Sequence, residues 1–179
     1  MPPETNPTPQ QIIALVGLSG AGKSSVGREL AARLNWAFID TDALIVQAAT
    51  RPITRIFAED GEAAFRELEH AALRQALTHP YSIVATGGGA ILRPDNRSLL
   101  RQLAFVVWLD APTTTLVDRL RSHHEERPLL ATGDPVSRLD ELRAVRAPLY
   151  EETAHLTIAT ASLSHVQIAT YVLQHRSHT

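Results

Sequence analysis

Apolar and polar positions along the chain alternate between two rhythms. Ile12–Val16 (IIALV) is an unbroken apolar run ended by glycine, which predicts a strand buried on both faces of a parallel sheet. Val26, Leu30 and Leu34 then recur at four-residue spacing, which predicts a helix over residues 24–34. Four further short runs read as strands: WAFI at 36–39, YSIVAT at 81–86, AFVVWL at 104–109 and HLTIAT at 155–160. Helices are expected between them, over 41–78 with breaks near Arg51-Pro52 and Asp60-Gly61, and over 94–102, 113–121, 136–146 and 164–175. The polar stretch 122–135 ends in the turn residues Gly133-Asp134-Pro135 and reads as a loop. Residues 1–10 are polar and rich in proline, and are expected to form a disordered tail ahead of one domain spanning 11–179. Strands alternating with helices imply an α/β fold, a three-layer α/β/α arrangement around a central five-stranded parallel sheet. In such sheets ligands sit outside the carboxyl ends of the strands, so the loops after the first three strands are the places to look.

Composition narrows the chemistry. At 179 residues the chain has the length of one ordinary domain. It has no cysteine, which excludes a disulfide framework, an iron–sulfur site and thiol catalysis. A net charge of −2 argues against broad nucleic-acid binding. No apolar run is long enough for a membrane span, and the first ten residues lack the pattern of a signal peptide, so a cytoplasmic monomer with no membrane partner is expected. Two residue types are unevenly spread. Sixteen of the seventeen basic residues are arginine and the remaining one is Lys23, while six of the nine glycines lie in residues 17–22 and 87–89.

The first glycine cluster is part of Gly17-Leu18-Ser19-Gly20-Ala21-Gly22-Lys23-Ser24, which fits the phosphate-binding pattern G-x-x-x-x-G-K-[ST] in its required place between a strand and a helix. The glycines let backbone N–H groups curl around phosphate oxygens, and the helix N-terminus adds its positive dipole end. Lys23 is expected on the β- and γ-phosphates and the Ser24 hydroxyl on Mg²⁺. The motif predicts binding of a nucleoside triphosphate through Gly17, Ser19, Gly20, Ala21, Gly22, Lys23, Ser24 and Ser25, and a P-loop NTPase-like fold. It says nothing of the acceptor.

Asp40-Thr41-Asp42 is expected to end the second strand, where spacing two puts both carboxylates on one side. One carboxylate then orients metal-bound water and the other accepts a proton from an attacking hydroxyl. A solvated turn with Asp42 as helix N-cap is the plainer alternative. Thr86-Gly87-Gly88-Gly89 ends the third strand. Three successive glycines cost backbone entropy, which a close approach of backbone to ligand would justify. Asp110, at the end of the fourth strand, reads as an N-cap or turn residue. The adjacent pair His123-His124 lacks convergent partners for a metal site.

Taken together these stretches resemble the shikimate kinase family over nearly the whole chain, from about residue 12 to 173. The phosphate loop, Asp40-Thr41-Asp42, residues 61–67 (GEAAFRE), 85–89 (ATGGG), 107–110 (VWLD), 127–130 (RPLL) and 146–150 (RAPLY) match in order. The family transfers the γ-phosphate of ATP to the 3-hydroxyl of shikimate, on the route to chorismate and the aromatic amino acids. The resemblance implies that Asp42 binds the shikimate hydroxyl and acts as base, and that Asp40 holds Mg²⁺ through water. It implies that Arg66 and Arg146 clamp the substrate carboxylate and that Gly87, Gly88 and Gly89 line the acceptor site. It places Arg127 on a mobile lid over about 122–135, Arg119 near the adenine, and the acceptor-binding helices at about 41–70. Planar guanidinium forks suit a planar carboxylate. Read without the family, Arg66 is a surface ion-pair residue and Arg146 a helix-end charge. Two other functions stay open on the residues alone: a kinase for another polyol acid such as gluconate, and a catalytically silent ATP-binding regulatory module.

Overall fold

The computed structural model describes residues 11–122 and 134–176. Five parallel strands form one sheet: β1 (Ile12–Val16), β2 (Ala37–Asp40), β3 (Ser82–Ala85), β4 (Phe105–Asp110) and β5 (Leu156–Ala159), in the order β2-β3-β1-β4-β5. All five residues of β1 are fully buried, as an unbroken apolar run requires at the centre of a doubly covered sheet. Its register is set on both sides, with Ile13 opposite Ile83 of β3 and Phe105 of β4. Burying each such side chain contributes about 1.5–3 kcal/mol.

Seven helices connect and cover the strands: α1 (Lys23–Leu34), α2 (Thr41–Ala49), α3 (Ile53–Ala76), α4 (Pro94–Leu103), α5 (Thr113–Ser122), α6 (Pro135–Thr153) and α7 (His165–Arg176). The expected stripe on α1 is present, with Val26 and Leu30 buried and Leu34 packed beside them. Both expected breaks are also present. Thr50 takes a left-handed backbone before Pro52, and Gly61 (φ 82°, ψ 174°) kinks α3. Among the described residues no helix is long and apolar enough to cross a membrane.

Three sequence expectations are corrected. First, β2 ends at Asp40 and Thr41 already opens α2, so Asp40 and Asp42 do not alternate along a strand. Asp40 itself, not Asp42, is the N-cap: its carboxylate accepts the Asp42 N–H at 3.0 Å, which turns the chain into the helix at Thr41. Second, α6 does not stop at Arg146 but runs through Pro148 to Thr153. An interior proline costs about 3 kcal/mol in an isolated helix. Here the last turn is anchored by the fully buried Tyr150 and Thr153, and Thr153 Oγ1 donates to the Leu149 carbonyl at 2.6 Å. Third, the Asp110 side chain caps no helix. It pairs with Arg143 of α6 at 2.8 Å, tying α6 to the carboxyl end of β4.

The start of β5 carries a titratable seam. His155 Nδ1 accepts the Val106 N–H of β4 at 3.0 Å, and the ring stacks on Phe105 with centroids 5.8 Å apart. Burial, with Arg101 nearby, holds the imidazole below its ordinary pKa. The neutral ring is therefore the folded-state form. Its contribution to stability is complete above the unfolded value of about 6.5 and is lost as pH falls from there through the lower folded value. Denaturant titrations at pH 7.5 and 5.5 are expected to show wild type losing more stability on acidification than His155→Gln. An identical loss in both proteins would remove His155 from the pH response.

Candidate active site

The site lies outside the carboxyl ends of β1, β2 and β3, where the chain returns to opposite sides of the central strand. The phosphate loop leaves β1 at Gly17 with φ 143°, and a side chain there would begin 2.6 Å from the Leu109 carbonyl oxygen of β4. It enters α1 at Gly22, whose φ of 94° only glycine adopts readily. Ser19, Gly20 and Ala21 span the turn between them, and Ser25 lies exposed in the first turn of α1. Lys23 Nζ, half-buried, donates to the Gly17 carbonyl at 2.8 Å and the Leu18 carbonyl at 2.9 Å, so the loop wraps around its ammonium. Ser24 Oγ donates to Asp40 Oδ2 at 3.1 Å. That brings a hydroxyl and a carboxylate, both hard oxygen donors, to the mouth of the loop.

The same corner fits Mg²⁺. Mg²⁺ is bound through one or two side-chain oxygens plus substrate phosphates and waters, not through a protein cage. The Ser24–Asp40 pair supplies that donor set, and among the described residues no group of three or more His, Cys, Asp or Glu competes with it.

The glycine triplet after β3 is where the remaining residues meet, and each glycine is small for a different neighbour. A side chain on Gly87 would begin 2.9 Å from Asp42 Oδ1 and 2.8 Å from Glu69 Oε1. One on Gly88 would begin 3.5 Å from the Gly17 oxygen and the Ser19 nitrogen, and 3.6 Å from Arg146 Nη1. One on Gly89 would run into the Arg66 guanidinium, whose Cζ is 2.8 Å away. The turn therefore touches the phosphate loop on one side and gathers Asp42, Arg66 and Arg146 on the other. Asp42 is brought there by the N-capped start of α2, and Thr41 Oγ1, buried, accepts the Gly87 N–H at 3.2 Å. Arg146 Nη1 donates to the Gly88 carbonyl at 3.1 Å. Arg146 thus lies inside a helix and faces the turn, not a helix end.

Arg66 is ion-paired as its helix position suggested, at 2.9 Å to Glu62 and 2.6 Å to Glu69. These bonds still leave part of the five-donor guanidinium fork for a ligand. Arg119 links the phosphate-loop segment to the residue that follows β5. Its Nη2 donates to the Thr160 carbonyl at 2.8 Å, and its Nη1 to Thr160 Oγ1 at 3.3 Å and the Ala21 carbonyl at 3.5 Å. Beside it a cavity of about 390 Å³ opens between Asp110, Thr113, Asp140, Arg143 and Ala161. Arg127, the pair His123-His124 and most of the segment 122–135 lie outside the described residues.

Two residues at the site were not singled out from the sequence. Glu69 is only 2% exposed, and it lies between Arg66 and the Gly87 corner. Burial raises its pKa, with Asp42 adding to the rise, and outweighs the Arg66 pairing and the Arg146 charge that lower it. A signal was present: Glu69 falls on the apolar stripe Phe65, Ala72, Leu73, Ala76 of α3, where a carboxylate needs a reason. Tyr150 is 1% exposed and donates to the Gly88 carbonyl at 2.6 Å.

Residues 19–176 match the sequence model of the shikimate kinase family. The chain belongs to that family. The shikimate kinase of Symbiobacterium thermophilum is 48% identical over 149 residues, covering 83% of this chain and 86% of that protein. The shikimate kinase of Neisseria gonorrhoeae is 44% identical over 150 residues, covering 84% and 88%. Among solved structures, the shikimate kinase from Acinetobacter baumannii in complex with shikimate superposes with a TM-score of 0.88 at 38% identity, covering 98% of this chain and 95% of that one. A gluconokinase from Sinorhizobium meliloti shares the fold, with a TM-score of 0.56 at 20% identity.

Proposed function

We propose that the protein transfers the γ-phosphoryl group of ATP to the 3-hydroxyl of shikimate, giving shikimate 3-phosphate and ADP. What supports this is one juxtaposition: a carboxylate, Asp42, and two guanidiniums, Arg66 and Arg146, gathered on a glycine turn that abuts a phosphate loop. An acceptor carrying both a carboxylate and a hydroxyl can lie with the first on the arginines and the second between Asp42 and the γ-phosphate. Asp42 takes the hydroxyl proton as the new P–O bond forms, and the bond from Pγ to the β-phosphate oxygen breaks to release ADP. Lys23 and the loop N–H groups hold the charge that builds on the phosphoryl oxygens. Ser24 and, through water, Asp40 would hold Mg²⁺, which would neutralise phosphate charge. Arg119 flanks the base, and Arg127 serves the lid implied by the family resemblance. Gluconate as acceptor has only the shared fold behind it, and a silent ATP-binding module leaves the Asp42–arginine arrangement unexplained.

The test is ADP release with shikimate, with gluconate and with no acceptor. Turnover is expected with shikimate alone, and equal rates with and without it would overturn the proposal. The clamp has its own expectation. Arg146→Ala should weaken shikimate binding by at least about 2 kcal/mol, since truncating one partner of a desolvated charge pair costs that much. ATP binding should be unchanged. Calorimetry showing wild-type shikimate affinity in this variant would remove Arg146 from the clamp.

A further inference from the structure

We infer that Tyr150 is a positioning residue for the acceptor: its hydroxyl holds the Gly88–Gly89 peptide in the orientation that acceptor binding needs, without touching the acceptor itself. The inference rests on the proposed acceptor site and adds to it a residue that acts from behind the turn.

The Gly88 carbonyl accepts two hydrogen bonds from α6, from Tyr150 Oη at 2.6 Å and from Arg146 Nη1 at 3.1 Å. The donors stand four residues apart, hence one above the other on one helix face. Three successive glycines provide no side chain to restrain the turn, so its peptide planes are held from outside or not at all. A trans peptide is planar, with its C=O and N–H opposed. A Gly88 carbonyl fixed toward α6 therefore aims the Gly89 N–H away from α6, and Gly89 is the residue packed against Arg66.

The two donors are not equivalent. Arg146 is half-buried and is the group expected to engage a carboxylate, so its bond to Gly88 competes with the ligand. Tyr150 is 1% exposed, and its ring stacks on Trp108 of β4 with centroids 5.6 Å apart, which fixes the ring independently of any ligand, while its hydroxyl also neighbours the Arg146 guanidinium. Burial also drives the phenol pKa far up, so the group remains a neutral donor. Tyr150 thus keeps the turn in place when Arg146 turns to the acceptor. It also anchors the helix beyond Pro148, which separates the two donors along α6.

Tyr150→Phe keeps the ring and its stacking and removes only the hydroxyl. Loss of one hydrogen bond predicts a rise in KM for shikimate of about 5–10-fold. The KM for ATP should stay within about 2-fold and kcat within about 3-fold. Leu139→Ala removes buried packing from α6 eleven residues before Tyr150 and leaves both the hydroxyl and its stacking, and is expected to lower Tm while retaining the wild-type KM for shikimate. An unchanged shikimate KM in Tyr150→Phe would overturn the inference. So would a parallel rise in both KM values, or the same shikimate defect in Leu139→Ala, since either marks a general structural role. Wild-type turnover on shikimate tests the acceptor itself, and the ratio of variant to wild type tests Tyr150, so the two fail separately.

Discussion

Lys23→Arg is expected to lose most of its turnover, about 10²-fold or more, the scale for removing one donor to the developing charge, although the formal charge is kept. The ammonium of Lys23 sits between the carbonyls of Gly17 and Leu18, at 2.8 and 2.9 Å, within a loop whose first residue, Gly17, has no room for a side chain against the Leu109 carbonyl. A compact point charge with three rotatable donors fits there, whereas a planar guanidinium is wider and cannot present its fork within the same curl of backbone. Because Lys23 is the only lysine in the chain, the site can also be read chemically. An amine-selective reagent should inactivate the enzyme through one internal residue, with only the α-amino group as a second target, and Mg·ATP should protect it. Peptide mapping with and without ATP gives the answer directly. Full activity in Lys23→Arg would sink the steric argument, and inactivation that ATP does not slow would sink the placement on the phosphates.

Asp42→Asn should lower kcat by about 10²–10⁴-fold, the range for loss of a positioned general base. The substitution is nearly isosteric, so the close packing of Asp42 Oδ1 against Gly87 is preserved and the fold should hold. Binding of ATP should be unaffected, because the Asp40 N-cap and the Ser24–Asp40 pair remain. The paired measurement is single-turnover phosphoryl transfer at saturating shikimate beside calorimetry for ATP. A wild-type transfer rate would leave Asp42 as a binding group with no part in proton transfer. The buried Glu69 next to it is expected to titrate differently in this variant, since Asp42 is one of the charges that raise its pKa.

How much of this was readable in advance depends on the range of the forces involved. The five strands, the covering helices, and the breaks at Pro52 and Gly61 follow from local periodicity and backbone chemistry, which act within a few residues. The phosphate loop is legible for the same reason, being one continuous segment with a fixed demand for glycine. The Asp40–Asp42 corner was legible in composition but not in geometry. One side-chain hydrogen bond to Asp42 N decided that the strand ends at Asp40, and strand alternation no longer applies after it. Likewise Pro148 reads locally as a stop, and α6 passes through it because the buried contacts of Tyr150 with Gly88 and Trp108, on other elements, outweigh the local cost.

By itself, then, the sequence determined an α/β chain with a nucleotide-binding loop, a carboxylate corner and a bare glycine turn, each specified by residues adjacent in the chain. Only the tertiary structure decided that these three meet. Arg66 of α3 and Arg146 of α6 stand eighty residues apart in sequence, yet both contact the turn at 87–89, because the order β2-β3-β1-β4-β5 puts the carboxyl ends of β2, β3 and β1 side by side. The same folding made Glu69 and Tyr150, to which no role was given from the sequence, buried partners of that turn. The apolar stripe of α3 marks Glu69 as buried, but the turn it meets, like the one Tyr150 bonds, comes from another element and is not written in α3 or α6.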